Sequence, residues 1–150
     1  MDKYYTNTVG RFLKADIIPG KGIGEIHLGW NVDELLAYLK LLNLEYEIED
    51  RANCYVLITA FAKFWVSKEA EVVTQILVFG EFKGKFGECI GIGSTLNDVK
   101  MHVGIWKEEL NVYIVPQFPG ICFELKDIDD FEEEWDVEKT PIEFISVFQS

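Results

Sequence analysis

The chain has 150 residues, 49% of them hydrophobic and 14% aromatic, and a formal net charge of −12. An apolar fraction this high excludes a disordered chain, and the length is that of one domain, 1–150. Apolar runs such as Cys54–Ala62 stop short of the ~18 residues a membrane helix needs, and 26 acidic against 14 basic side chains repel nucleic acid and anionic lipid alike.

In chain order, Met1-Asp2-Lys3-Tyr4-Tyr5 shows no apolar h-region, so the expected compartment is the cytosol. Segment 18–29, Ile-Pro-Gly-Lys-Gly-Ile-Gly-Glu-Ile-His-Leu-Gly, is glycine-rich. It lacks the Gly-Lys-Ser/Thr of a P-loop and the helix of a dinucleotide fingerprint, and reads as a turn feeding an edge strand. Ile26-His-Leu-Gly-Trp-Asn-Val-Asp-Glu-Leu35 then recurs as Ile90-Gly-Ile-Gly-Ser-Thr-Leu-Asn-Asp-Val99. In both copies an alternating segment ends at a glycine, Gly29 or Gly93. A helix N-cap follows two residues later, Asn31 or Thr95, and an acid three beyond it, Glu34 or Asp98. That spacing is a capping box, weaker for the short Asp98 side chain. Val32, Leu35, Leu36 and Leu39 form the inner stripe of the first helix, and Leu96, Val99 and Val103 that of the second.

After each helix the apolar period becomes two. Strands are predicted near 44–49, 55–60, 64–67 and 72–79, and again near 111–115, 121–125 and 142–148. The closing strands rhyme, Ile76-Leu-Val-Phe79 with Ile145-Ser-Val-Phe148, with about five residues gained in a loop of the second half. The predicted fold class is α+β: two tandem helix-plus-antiparallel-meander repeats, about 18–86 and 87–150, forming one compact domain. Their oily faces either bury one another or build one longer curved sheet.

The quoted stretch Gly22–Gly29, with Asn31 and Glu34-Leu35, is similar to a pattern of small bacterial immunity proteins. Those are cytosolic partners that neutralise the toxic domain of a contact-dependent growth inhibition system or a related polymorphic toxin. From Ile18 to Phe148 the tandem arrangement also resembles the repeat of the beta-lactamase inhibitory protein and the small outer-membrane assembly lipoproteins. The sequence departs from the inhibitor in having no signal peptide and no paired cysteines, and from the lipoproteins in having no lipobox. The resemblance therefore implies the cytosolic role, with a toxin as protein partner and no transferable binding residues.

No catalytic set, metal site or cofactor is expected. His27 alternates away from Ile26 and Leu28, and His102 suits a helix C-terminus. Ser94 lies in Gly91-Ile-Gly-Ser rather than a nucleophile elbow. Cys54, Cys89 and Cys122 lack Cys-x-x-Cys spacing and read as small core residues of a reducing compartment.

The charge is concentrated. From Glu124 to Glu138 nine acids stand against the single base Lys126, eight of the twelve net negative charges. The candidate partner-binding residues are Asp127, Asp129, Asp130, Glu132, Glu133, Glu134, Trp135 and Asp136. Ile128, Phe131 and Trp135 form a stripe at helical spacing. Trp135 either packs into the core beneath a carboxylate surface or stands exposed as an anchor for a partner's pocket. A concentrated acidic surface fits a basic protein, and a nuclease is basic because it grips phosphates. The expected function is thus inhibition of a basic toxin domain. A binding module or inhibitor for another protein, and an enzyme with an unrecognised site, are the rival readings.

Overall fold

The structure is a computed structural model describing residues 9–126 and 136–149. It is α+β, as the sequence implies. Residues 9–13 are helical. The strands β1 (Ile17–Ile18), β2 (Gly22–Ile23) and β3 (Ile26–His27) make a small antiparallel sheet. Repeat one follows as helix α1 (Val32–Leu41) and strands β4 (Glu47–Asp50), β5 (Cys54–Ile58), β6 (Ala62–Ser67) and β7 (Val73–Phe79). Repeat two is helix α2 (Leu96–His102) and strands β8 (Lys107–Glu109), β9 (Val112–Ile114), β10 (Ile121–Leu125) and β11 (Ile142–Phe148).

Both helices begin as their sequences require. Asn31 Oδ1 accepts from the Glu34 N–H at 2.9 Å, and the Glu34 carboxylate accepts from the Asn31 N–H at 3.4 Å. Thr95 and Asp98 repeat the exchange, at 3.2 Å and 2.9 Å. The short Asp98 side chain reaches the Thr95 N–H, so this second capping box is complete. The turn ahead of each helix is pinned to the last strand of its own repeat. Gly29 N–H donates to Val73 O at 2.8 Å, and Gly93 N–H donates to Ile142 O at 2.9 Å. Val73 and Ile142 return a bond each, to Trp30 O and Ser94 O. Gly29 (φ 90°) and Gly93 (φ 94°) need the left-handed backbone that glycine adopts without strain.

The two meanders join into one eight-stranded sheet, in the order β4-β5-β6-β7-β11-β10-β9-β8, so the longer-sheet alternative is the one realised. The joint is the antiparallel pair β7·β11, in which Leu77 faces Ser146. These two residues also correspond in the rhyme of the closing strands, so an internal pseudo-two-fold axis passes between them. Under it Phe64 corresponds to Phe123, Trp65 to Glu124, Lys63 to Cys122, Ile58 to Ile114 and Phe79 to Phe148.

The strand β8, with the sequence Lys-Glu-Glu, escapes apolar alternation because all three residues are exposed at a sheet edge. The long connection of repeat two falls between β10 and β11, where residues 126–141 stand in place of the short Ser67–Val73 link. The glycine-rich segment folds back on itself as β1–β3, so the edge strand it feeds, β3, belongs to the small sheet.

One face of the large sheet carries the core. Leu57, Phe64, Ile76, Val78, Phe123, Ile145 and Val147 are buried there against Leu35 and Leu39 of α1, Leu96 and Val99 of α2, and Phe12. Ile23 and Ile26 bring the small sheet into the same cluster. Of the cysteines, Cys122 is buried, Cys54 half-buried and Cys89 exposed, so the reading of all three as core residues is corrected for Cys89. Among the described residues no helix is long and apolar enough to cross a membrane.

Candidate functional site: the open face of the large sheet

Asp127, Asp129, Asp130, Glu132, Glu133, Glu134 and Trp135 lie outside the described residues. Asp136 is described. It is exposed, its carboxylate accepts from the Glu138 N–H at 2.9 Å, and its backbone carbonyl accepts from the Thr140 hydroxyl. Lys139 Nζ stands 4.0 Å from the same carboxylate, an exposed pair that contributes little. This end of the acidic run therefore closes a turn before β11, anchored by Thr140, which is buried.

The other residues considered for chemistry have ordinary local roles. His27 is exposed beside Trp30, their rings 5.9 Å apart, and His102 is exposed in the last turn of α2. Ser94 Oγ accepts from the Gly91 N–H within its turn. No cluster of three or more His, Cys, Asp or Glu suited to a metal ion occurs among the described residues.

The second face of the sheet is a different kind of surface. The buried side chains of α1, α2 and segment 9–13 all join the core on the first face. Strand alternation turns the remaining residues outward. Repeat one presents Val56, Ile58, Lys63, Trp65, Gln75, Leu77 and Phe79. Repeat two presents Val112, Ile114, Cys122, Glu124, Phe144, Ser146 and Phe148. Val56, Leu77, Cys122 and Ser146 are buried and the aromatics half-buried, and among the described residues no helix packs on this face.

At the centre Phe79 and Phe144 face each other across the strand joint, ring centroids 6.1 Å apart. Lys63 Nζ lies 6.0 Å from the Phe79 ring, within reach of a weak cation–π attraction. The Gln75 amide donates to Ser146 Oγ at 3.3 Å, which satisfies the polar groups on the axis locally. Burial, and secondarily the Glu124 carboxylate, push the Cys122 thiol up to about 11, so it is an inert floor residue at neutral pH.

The two outermost strands bring carboxylates to both ends of this apolar centre. Glu47 and Glu49 lie on β4, paired with Ile58 and Val56; Glu109 lies on β8, paired with Val112. Charged edge strands discourage pairing between copies of the chain and make a polar rim, in which Arg51 pairs with Glu49 at 3.0 Å and Lys107 with Glu109 at 3.5 Å. Apolar, aromatic centres inside polar rims occur in protein–protein interfaces.

Sequence reasoning placed binding on the acidic run and passed over this face. A signal was present. Ile76-Leu77-Val78-Phe79 is an unbroken apolar run, and Ile145 to Phe148 nearly so. Antiparallel strands with one solvated face alternate, so such a run implies that both faces are covered.

Within the face, the repeat-two half contains a groove of about 450 Å³. Val112, Ile114, Cys122 and Phe148 form its floor. Leu110 and the β9–β10 connection, with Pro116, Phe118 and Pro119, form its walls. Leu110 and Asn111 have φ of 51° and 67°, a two-residue hairpin turn with both positions left-handed. Leucine there carries a strain of about 1 kcal/mol, and its side chain is 91% exposed.

No family model matches the sequence, and no curated protein matches it. The fold is similar to that of the uncharacterized protein yfeY from Escherichia coli, with a TM-score of 0.59 over 88% of this chain and 99% of that one. At 12% identity the likeness establishes a shared fold and nothing further.

Proposed function

We propose that this chain is a cytosolic immunity protein that binds a basic bacterial toxin domain, most simply a nuclease, and neutralises it one-to-one. The observation that supports this reading most is the open sheet face, an aromatic centre between carboxylate-bearing edges on a chain of net charge −12. Apolar area on that face supplies affinity, because burial there removes it from water. Carboxylates supply speed and selectivity. They attract a phosphate-gripping surface from a distance and compete with nucleic acid for the same cations. The run from Asp127 to Asp136 adds to that attraction.

The role is one of occupancy, with no bond made or broken. Mixing the chain with a cognate basic toxin domain is expected to abolish toxin activity at one molar equivalent. Reversing Asp129, Asp130, Glu132 and Glu133 to lysine slows association about tenfold or more at low salt, with less effect at high salt. Inhibition that is insensitive both to those reversals and to salt removes the electrostatic part of the reading. Full toxin activity in the presence of excess chain removes the toxin itself, and binding of a different protein to the same face would leave an adaptor or inhibitor of another target.

A further inference from the structure

Resting on the protein-binding reading above, we infer that the groove in repeat two is an anchor pocket: it receives one large apolar side chain, flanked by lysine or arginine, from the partner. The internal duplication isolates the feature. The floors of the two halves correspond, Ile58 with Ile114 and Phe79 with Phe148, yet the walls differ. In repeat one the β5–β6 turn is tight. The Thr59 hydroxyl accepts from the Ala62 N–H at 3.0 Å, and the Thr59 N–H donates to Ala62 O at 2.8 Å. In repeat two the β9–β10 connection is longer and carries Pro116 and Pro119, whose fixed φ angles hold a wall up at little entropic cost.

The opposite lip is Leu110, in the first left-handed position of a turn where asparagine, aspartate or glycine fits best. Its side chain is almost wholly exposed, so it returns no packing to the fold in exchange for that backbone. A groove of about 450 Å³ lies within the range of pre-formed ligand pockets and has room for one indole or isobutyl group together with the stems of its neighbours.

Charge selects the occupant. Glu109 lines the groove, and Glu124 stands in the same cross-strand row as Val112. Lys107 engages Glu109 at 3.5 Å on the exposed edge, where solvent weakens the pair and a competing cation can replace it. A second copy of this chain would bring −12 against −12, so the fitting partner is a basic protein with an exposed aromatic or leucine beside its cations.

The test uses the full chain and two probes, N-acetyl-tryptophanamide and the peptide Lys-Trp-Lys, followed by amide NMR shifts. Both probes are expected to shift Leu110, Ile114, Gly120, Cys122 and Phe148 and to leave Ile58 and Lys63 unmoved. Lys-Trp-Lys should bind at least about fivefold tighter at low salt, an advantage lost at high salt. Ile114→Trp sets an indole on the groove floor, where the probe would lie, and should abolish the shifts, whereas Ile58→Trp at the equivalent position should preserve them. Leu110→Asn guards against misfolding as an explanation. It should raise Tm by about 2–4 °C while weakening probe binding about threefold or more. Shifts spread equally over both halves, no preference for the cationic probe, or a Leu110→Asn chain that binds undiminished would each overturn the inference. Toxin neutralisation is measured separately. A chain that neutralises its toxin yet fails these titrations loses the anchor pocket alone, and one that passes them without neutralising loses the toxin reading alone.

Discussion

The two repeats share a backbone plan and diverge on one face. On the helix side the correspondence is close: Phe64 with Phe123, Leu35 with Val99, one capping box with the other. On the open side Trp65 is answered by Glu124 and Lys63 by Cys122, and a tight turn is answered by a proline-bearing wall. The core constrains both copies equally, because a packed interior tolerates few shapes. Among the described residues no helix constrains the second face in that way. The two halves therefore differ most on the face that the proposed binding function uses.

The largest effect should be a symmetric one. Phe64→Ala and Phe123→Ala each empty a fully buried aromatic site, and each should cost about 3–5 kcal/mol by urea denaturation. A loss confined to one of them would mean that the halves do not share a single core.

A smaller effect is asymmetric and depends on pH. The Cys122 thiol is held neutral by burial, and next by Glu124, with its ionisation raised to about 11 against an unfolded value of 9.0. The unfolded chain therefore releases this proton first. The stabilisation is complete below pH 9, and about 2–3 kcal/mol of it is lost as the pH rises toward 11. Cys122→Ser should flatten the urea midpoint between pH 9 and 10, below the range where the raised Tyr38 and Tyr113 titrate. An unchanged slope would place the thiol in contact with water.

The caps return to symmetry. Asn31→Ala and Thr95→Ala should each cost about 1 kcal/mol, measured by the same denaturation, and strongly unequal losses would show that one box is idle. The smallest effect has the opposite sign. Leu110→Asn should stabilise the chain by about 0.5–1 kcal/mol by relieving the left-handed leucine. A destabilised variant would show that Leu110 supports the fold after all.

These comparisons also show what the chain made legible. Glycine, cap and acid at fixed spacing identified both helices, because capping is satisfied within a few residues. Most strands were visible as alternation. The strand β8 was not, since Lys107, Glu108 and Glu109 bury nothing and are held only by pairing with Val112 to Ile114. The joint between β7 and β11 was invisible for another reason. Residues such as Ile76 and Val147 meet through long-range pairing that leaves no local spacing. The acidic run drew attention by its composition, whereas Phe79, Phe144 and Phe148 form a surface only after the two halves have joined. Their legible trace was an apolar run where alternation should have been.

Hydroxyl-radical footprinting of the chain, alone and mixed with a basic toxin domain that it neutralises, tests the central claim most directly. The account predicts that Trp65, Phe79, Phe144 and Phe148 become protected on binding while Trp30 and Tyr38, on the helix side, oxidise as before. Protection of Trp30 and Tyr38 with the four open-face aromatics unchanged would contradict it.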